Sequence, residues 1–254
     1  MAAIYKRYIR DLRRKCGYQA TWTPGTPLKL GDIGVFRNHV FEAIDNINND
    51  HFDFDMMVRE DDNSEELEFT SSKSVNIVTK VEGSIAPTDS PFTIDDTGFV
   101  VTFGKRGGLV FKANGVRTER IMNQSALAKY VKTAFSNGDW SEDHYIITEL
   151  KIAESATILY ALERNAEVAI RAKGSVDSES LDIANAGVGL EIAFSKSMEV
   201  KIVASDGLTP LFKVRGIKVK GNDASLRHID NGEDDMDDLL FEEYDEAEMI
   251  ELDE

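Results

Sequence analysis

Cysteine is almost missing from this chain: Cys16 is the only one in 254 residues, which excludes an internal disulfide and any cysteine-based zinc cluster and fits a reducing compartment. Long apolar runs are missing too. No stretch approaches the roughly 18 consecutive apolar residues of a transmembrane helix, and residues 1–15 hold no secretion signal, so the expected residence is the cytoplasm. The four histidines, His39, His51, His144 and His228, lack the spacing of a zinc site. Gly104-Lys105-Arg106-Gly107-Gly108 lacks the P-loop spacing and the hydroxyl that would hold magnesium, and reads as a hairpin turn. Asp53 with Asp55, Asp61 with Asp62, and Asp95 with Asp96 have no EF-hand spacing and read as solvated loop charge. Neither Cys16 nor any serine stands in a nucleophile motif. The expectation is a protein that is not an enzyme and takes neither cofactor nor metal.

Basic residues are absent from one end and concentrated at the other. From Asp230 to Glu254 there are fourteen acidic residues and no basic one, so that tail carries most of the net charge of -17. The first twenty residues hold Lys6, Arg7, Arg10, Arg13, Arg14 and Lys15 against Asp11 alone. A polyanion of this kind is not expected to bind nucleic acid. The tail is nonetheless patterned: Met236, Leu239, Leu240, Tyr244 and Ala247 share one helical face, with Phe241 beside them, so it can form an acidic amphipathic helix. It could cover a basic apolar surface of the same molecule, or stay disordered and recruit a partner protein.

What is present in quantity is periodic hydrophobicity. Ile4, Tyr5, Tyr8, Ile9, Leu12 and Cys16 recur at helical spacing among the basic residues, and Gly17 follows as a stop. Thr23 to Pro27 is a turn, and Leu30 to Ile44 reads as a short hairpin around Arg37-Asn38. Residues 59–66 have no core pattern and read as a solvated loop. Strand-like stretches follow at 67–85 and 99–113, separated by a polar, proline-containing loop. Asn123 to Phe135 reads as a helix capped by Asn123 or Ser125, with Leu127, Val131 and Phe135 on one face.

Two segments alternate more regularly than the rest. In 145–162 one parity reads Ile146, Thr148, Leu150, Ile152, Glu154, Ala156, Ile158, Tyr160, Leu162. In 188–204 it reads Val188, Leu190, Ile192, Phe194, Lys196, Met198, Val200, Ile202, Ala204, and the opposite parity holds Glu191, Glu199 and Lys201. Such alternation marks half-buried strand, yet each segment is about three times the common strand length. Each is either a hairpin or bent strand, turning near Glu154 and near Lys196, or one long strand that can extend. Because parity is kept through both points, a two-residue turn is excluded.

In layout the chain resembles the membrane-active domain of the gasdermin family. The similarity covers residues 3 to about 220: a basic first helix, a short hairpin, a long-strand region, a helix near Asn123, the run GDWSEDHYIITEL, two amphipathic stretches and the closing strand TPLFKVRGIKV. The resemblance implies an α+β fold with a central twisted, mostly antiparallel sheet, a basic N-terminal helix and a few short helices. It divides the chain into a membrane-active domain at 1–220 and a linker with acidic tail at 221–254. It implies a pore former held soluble by its tail and released, by a protease, to form an oligomeric ring in membranes as a cell-death or defence effector. Localisation would be cytoplasmic when inactive and at the inner or plasma membrane when active.

The resemblance also assigns roles to residues. Lys6, Arg7, Arg10, Arg13 and Arg14 would meet anionic lipids. Ile146, Leu150, Ile152, Ile158, Val188, Leu190, Ile192, Phe194, Val200 and Ile202 would face lipid, and Glu149, Lys151, Glu191, Glu199 and Lys201 the aqueous pore. Leu239, Leu240, Phe241 and Tyr244 would belong to the inhibitory tail. Cys16 is the one candidate for lipid attachment, although bacterial members carry theirs close to the chain start. Charge reversal at Arg10 and Arg13 is then expected to spare folding and abolish membrane damage. The competing expectation is a binding or adaptor protein whose acidic tail engages a basic partner and whose strands never leave the soluble fold.

Overall fold

The computed structural model describes residues 2–23, 25–71, 75–85, 91–172, 190–203, 207–220 and 223–228. In chain order, α1 (Ala2–Cys16) leads to β1 (Gln19–Ala20), β2 (Asp32–Arg37), β3 (Val40–Asn46), β4 (Val58–Glu60), β5 (Glu65–Thr70), β6 (Val75–Lys80), β7 (Gly98–Phe103) and β8 (Leu109–Ile121). Then come α2 (Gln124–Asn137), β9 (Tyr145–Ala153), β10 (Ser155–Ala161), β11 (Ala166–Ala172), β12 (Leu190–Lys196), β13 (Met198–Val203), β14 (Leu208–Lys220) and β15 (Asp223–His228). All strand pairs among the described residues are antiparallel. Eleven strands form one sheet around β8, β9, β10 and β14, and β12, β11, β7 and β6 form a second in that order.

The helical spacing of Tyr8, Ile9 and Leu12 puts all three inside α1's contact with the large sheet, fully or almost fully buried. The helix ends where Gly17 turns left-handed and its N–H reaches the Arg13 carbonyl at 2.9 Å. Helix α2 buries Leu127 and Val131, with Phe135 half-buried beside them, against β2, β3, β9 and β14. Asn123 precedes it without capping it: its amide accepts from the Met57 N–H at 3.0 Å and donates to the Asp55 carbonyl at 2.8 Å, tying the 55–57 segment to the helix start.

The hairpin at 30–44 is present as β2 and β3, turning on Asn38 and His39, both at positive φ. Residues 59–66 differ from expectation. They are exposed, yet β4 and the start of β5 lie in them, paired along the edge of β8. Polar composition concealed an edge strand that needs no buried face. The glycine-rich 104–108 is not a hairpin turn either, since β7 and β8 do not pair with each other. Nor does the chain reverse at Glu154 or Lys196. Strands β9 and β10 run on in one direction along β8, and β12 and β13 run on along β11 and β10. Both amphipathic segments are bent strands.

Candidate membrane-inserting ribbon

The bends hide a single ladder. Gly98 pairs with Arg171, Phe103 with Ala166, Leu109 with Tyr160, Asn114 with Ser155, Arg117 with Ile152 and Arg120 with Glu149, and in every pair the residue numbers add to the same total. Residues 98–120 and 149–171 are therefore two strands in one common register, divided between two sheets only because both bend at the same places. One bend lies at 104–108 opposite 162–165, the other at Gly115 opposite Glu154. Gly115 suits that bend because its φ is +58, a conformation other residues adopt only with strain.

The neighbouring strands flank this pair in the same order on both sides of the first bend. Strands β6 and β5 run along β7 and β8, and β12 and β13 along β11 and β10. Away from local bulges, each flanking strand changes register by two residues across the bend. Two is even, so the facing of its side chains is kept away from the bulges; at 194–196, between a bulge and the bend, it is inverted, and Phe194 pairs with Ala169 while Ile192 pairs with Ile170. The arrangement is a four-stranded ribbon of two long hairpins, 65–80 with 98–113 and 155–172 with 190–203, folded over at its middle.

Directly paired residues share a face of a sheet, and alternate residues share a face of a strand. Along the ladder, one face consists of Phe99, Val101, Phe103, Leu109, Phe111 and Ala113 with Ala156, Ile158, Tyr160, Ala166, Val168 and Ile170. Lys105 and Arg164, both exposed at the bend, interrupt it. The other face is mixed, with Thr102, Arg106, Lys112, Thr157, Glu163, Glu167 and Arg171 among Val100, Val110, Leu159 and Ala169. The bend divides the apolar face. Leu109, Phe111, Ile158 and Tyr160 lie under Tyr8, Ile9 and Leu12 of α1, whereas Phe99, Val101, Phe103, Val168 and Ile170 pack on Val110 and Leu159 of the opposite face.

Toward the base the mixed face becomes a charged network. Glu149 accepts from the Tyr18 hydroxyl and lies 3.4 Å from Arg120 Nε and 3.6 Å from Lys213 Nζ. The ammonium groups of Lys213 and Lys151 sit 4.4 and 4.9 Å from the Tyr18 ring centre. Arg120 also bonds Asp61 at 2.8 Å, Lys112 pairs with Glu68 at 3.1 Å, and Lys151 pairs with Glu65 while donating to Thr118 Oγ1 at 3.2 Å. Burial and the hydrogen bond to Glu149 hold the Tyr18 phenol well above its ordinary pKa. The acids of β5 and the 61–64 loop thus neutralise the cations of β8 and β9.

The expected site residues are distributed as follows. Ile158 lies on the apolar face, and Val200 and Ile202 pair through the backbone with Tyr160 and Ile158. Ile192 is half-buried and Phe194 36% exposed on β12, and Leu190 pairs with Ala172. Ile146 and Leu150 are buried in the base cluster with α2, with Ile152 packed against it. Glu149 and Lys151 lie in the charged network, and Glu191 is exposed on β12. Of the α1 cations, Arg14 is exposed, Lys6 and Arg13 are half-buried, and Arg10 is only 8% exposed beside Asp11. Arg10 is about 100° around the helix from Ile9, so the helical pattern alone places it off the apolar stripe; its burial is a finding of the structure, with its Nε 3.5 Å from the Asp11 carboxylate. Exposed Lys15 takes its place at the open end. Cys16 is half-buried, and its thiol is pushed up by burial against the pull of Lys151 and Lys15. Val188, the side chains of Arg7, Glu199 and Lys201, and Leu239, Leu240, Phe241 and Tyr244 lie outside the described residues.

Sequence reasoning missed Lys80, which is 1% exposed. Its ammonium donates to three backbone carbonyls, of Val81 at 3.0 Å, Ile94 at 3.2 Å and Asp96 at 2.9 Å, at the far end of the first long hairpin. A lysine among exposed strand residues carries no local signal of such a role. Arg171 was missed as well; it reaches Asp96 at 3.0 Å and joins the ends of the two hairpins.

No family model matches the sequence, and no curated protein matches it. Its structure is similar to two gasdermins. A bacterial gasdermin from Bradyrhizobium tropiciagri aligns at 10% identity and a TM-score of 0.37, over 87% of this chain and 90% of that one. The Gasdermin A3 membrane pore aligns at 11% identity and a TM-score of 0.33, over 91% of this chain and 96% of that one.

Away from the ribbon, a cavity of about 470 Å³ opens between β2, β3 and α2. It holds Asp45 bonded to His51 at 2.8 Å, but the same carboxylate also accepts from Asn46 and Asn49. With its oxygens so occupied, Asp45 serves to fix the 46–51 turn.

Proposed function

We propose that this chain is a pore former whose folded ribbon straightens into a membrane. The supporting observation is the common register across the two sheets. Opening the bend at 104–108 and 162–165 leaves every central pair with its partner and gathers the divided apolar face on one side. Residues 99–113, at about 3.3 Å each and tilted about 40°, would span about 35 Å, against a hydrocarbon core of about 30 Å.

Magnitudes decide where such a state can exist. The larger residues of the apolar face contribute about 2 kcal/mol each when buried, so exposing them to water costs roughly 20 kcal/mol, more than the 5–15 kcal/mol stability of an ordinary domain. A bilayer removes that cost. Lys105 and Arg164 add back about 2–4 kcal/mol each at the midplane, less as their long stems reach toward the headgroups. For the opened ribbon the bilayer therefore remains favoured over water by more than about 10 kcal/mol.

The ribbon's outer edges cannot remain unpaired in lipid, where each open backbone group costs several kcal/mol, so copies must pair edge to edge in a closed ring. The base around α2, holding Ile146, Leu150 and Ile152, stays folded outside the membrane. Helix α1 leaves the ribbon and meets anionic lipid through Lys6, Arg7, Arg13, Arg14 and Lys15. The acidic tail, with Leu239, Leu240, Phe241 and Tyr244 on its apolar side, holds the soluble form until a protease removes it, and the biological role is that of a cell-death or defence effector.

The test is dye release from vesicles by the full chain carrying a protease site just after His228. Release only after cleavage, stronger on anionic than on neutral lipid, is the expected result. A cleaved, folded protein that releases no dye from either vesicle contradicts the proposal.

A further inference from the structure

The far end of the first long hairpin carries two large apolar side chains in water: Ile85 is 96% exposed and Ile94 64% exposed. Single exposed apolar residues are ordinary; what distinguishes these two is how the loop around them is built. The last strand pair is Lys80 with Gly98. Beyond it, the Gly83 N–H reaches the Ile94 carbonyl at 2.8 Å, and the Ser84 hydroxyl reaches the Val81 carbonyl at 2.6 Å. The Lys80 ammonium gathers the Val81, Ile94 and Asp96 carbonyls from both sides of the loop.

Burying an ammonium costs several kcal/mol unless its donors are satisfied, and Lys80 has three donors for three carbonyls. An apolar residue would fill the space without organising those carbonyls. The Ile94 carbonyl is shared between Lys80 and Gly83, so the lysine fixes the residue that presents one of the two isoleucines. Phe92 anchors the other side of the loop, buried against Val100 and Ala169. Asp96 accepts from the Thr93 N–H at 2.6 Å and pairs with Arg171, and the Ala172 N–H reaches the Thr97 carbonyl at 2.9 Å, so the second hairpin supports the same structure.

From this geometry we propose that residues 81–85 and 92–97 are a preformed bilayer wedge, in which Ile85 and Ile94 enter the hydrocarbon edge of a phospholipid membrane and Lys80 is the positioning residue that holds them outward. The inference rests on the ribbon reading above. Three features favour a bilayer as the occupant. The loop stands at the leading end of the ribbon, the apolar face of Phe99, Val101 and Phe103 begins directly behind it, and the Lys80 charge is already enclosed by the loop's own carbonyls. The exposed acids Glu82 and Asp95 beside the isoleucines set the lipid preference: this end favours zwitterionic over anionic headgroups, opposite to α1.

The experiment uses the full chain with the cleavable tail and phosphatidylcholine vesicles bearing brominated acyl chains. After cleavage, the added emission of Ile85→Trp, taken against the parent protein, is expected to be quenched by the bromolipid. Ile85→Ser with Ile94→Ser is expected to slow dye release at least about tenfold with an unchanged thermal midpoint. Lys80→Met is expected to slow release similarly and to lose amide protection at Gly83, a readout that needs no membrane. Unquenched Ile85→Trp emission, or wild-type release by the double serine variant, overturns the proposal. So does a change in the solution oligomer caused by the serines, which would make the loop a protein contact. Quenching without dye release would leave the wedge standing and bring down the pore reading alone.

Discussion

Gly98 and Gly83 stand near each other in the first hairpin and answer differently to one methyl group. A Cβ at Gly98 would lie 2.1 Å from the Ile170 carbonyl oxygen and 2.8 Å from the Phe92 ring, so two paired strands would have to part. Gly98→Ala is expected to cost at least about 3 kcal/mol in urea unfolding. Gly83 has nothing within 4 Å but a φ of +76, so Gly83→Ala is expected to cost only about 1 kcal/mol, the backbone term alone. Asp96 supplies a pH dependence at the same place. The backbone N–H of Thr93, then the Thr93 hydroxyl and Arg171, hold its carboxyl below the usual range. A depressed folded pKa means that the ionised carboxylate's support is complete above the unfolded value of about 3.9 and is lost as the pH falls through the lower folded value. Amide protection at Thr93 and Gly83, taken against the intrinsic exchange rate at each pH, is expected to fall below about pH 4, with core amides following only at lower pH. Asp96→Asn is expected to abolish that first step.

Helix α1 separates packing from surface charge over six residues. Arg10 is buried, so Arg10→Glu is expected to destabilise the soluble protein by about 2–4 kcal/mol, a correction to the expectation that reversal there spares folding. Arg14→Glu with Lys15→Glu is expected to lower the thermal midpoint by only a few degrees, while weakening attachment of the cleaved protein to anionic vesicles at least about thirtyfold, at roughly 1 kcal/mol per charge. The periodicity of Tyr8, Ile9 and Leu12 revealed this helix and which side of it packs, and Leu127 and Val131 did the same for α2. The alternation in 145–162 revealed strand, and its constant parity through Glu154 rightly excluded a two-residue turn there while leaving a longer turn open. What one segment could not reveal was its partner. Gly104 to Gly108 has the composition of a hairpin turn because a bend in paired strands needs the same backbone freedom; only the pairing of 98–103 with 166–171 tells the two apart. The edge strand at 58–60 and the first residues of β5, Glu65 and Glu66, went unseen because an edge facing water has no hydrophobic alternation to show. Lys80 went unseen because three backbone carbonyls leave no trace in composition.

At the scale of the whole molecule, one covalent chain offers two solutions to the same pattern. Folded over, the ribbon hides its apolar face partly beneath α1 and partly between its own two halves; in the proposed membrane form, straightened, it would present that face to lipid in one piece. The unequal fates of Leu109 and Phe103, on one face of the ladder yet in different core clusters, show that the bend divides what the register joins. Removal of the acidic tail is expected to lower the thermal midpoint and to allow vesicle leakage, with the leak growing as the anionic lipid fraction rises. The claim beneath all of this is that the bend opens while the central register is kept. It is tested most directly by pulsed electron resonance between spin labels at Thr102 and Asn114, twelve residues apart along β7 and β8, in a chain whose Cys16 is replaced by serine. In solution the distance is expected to be short, and in vesicles after tail cleavage it should rise to roughly 40 Å, the extended length of that segment. A distance that stays at its solution value while the vesicles leak would contradict the account.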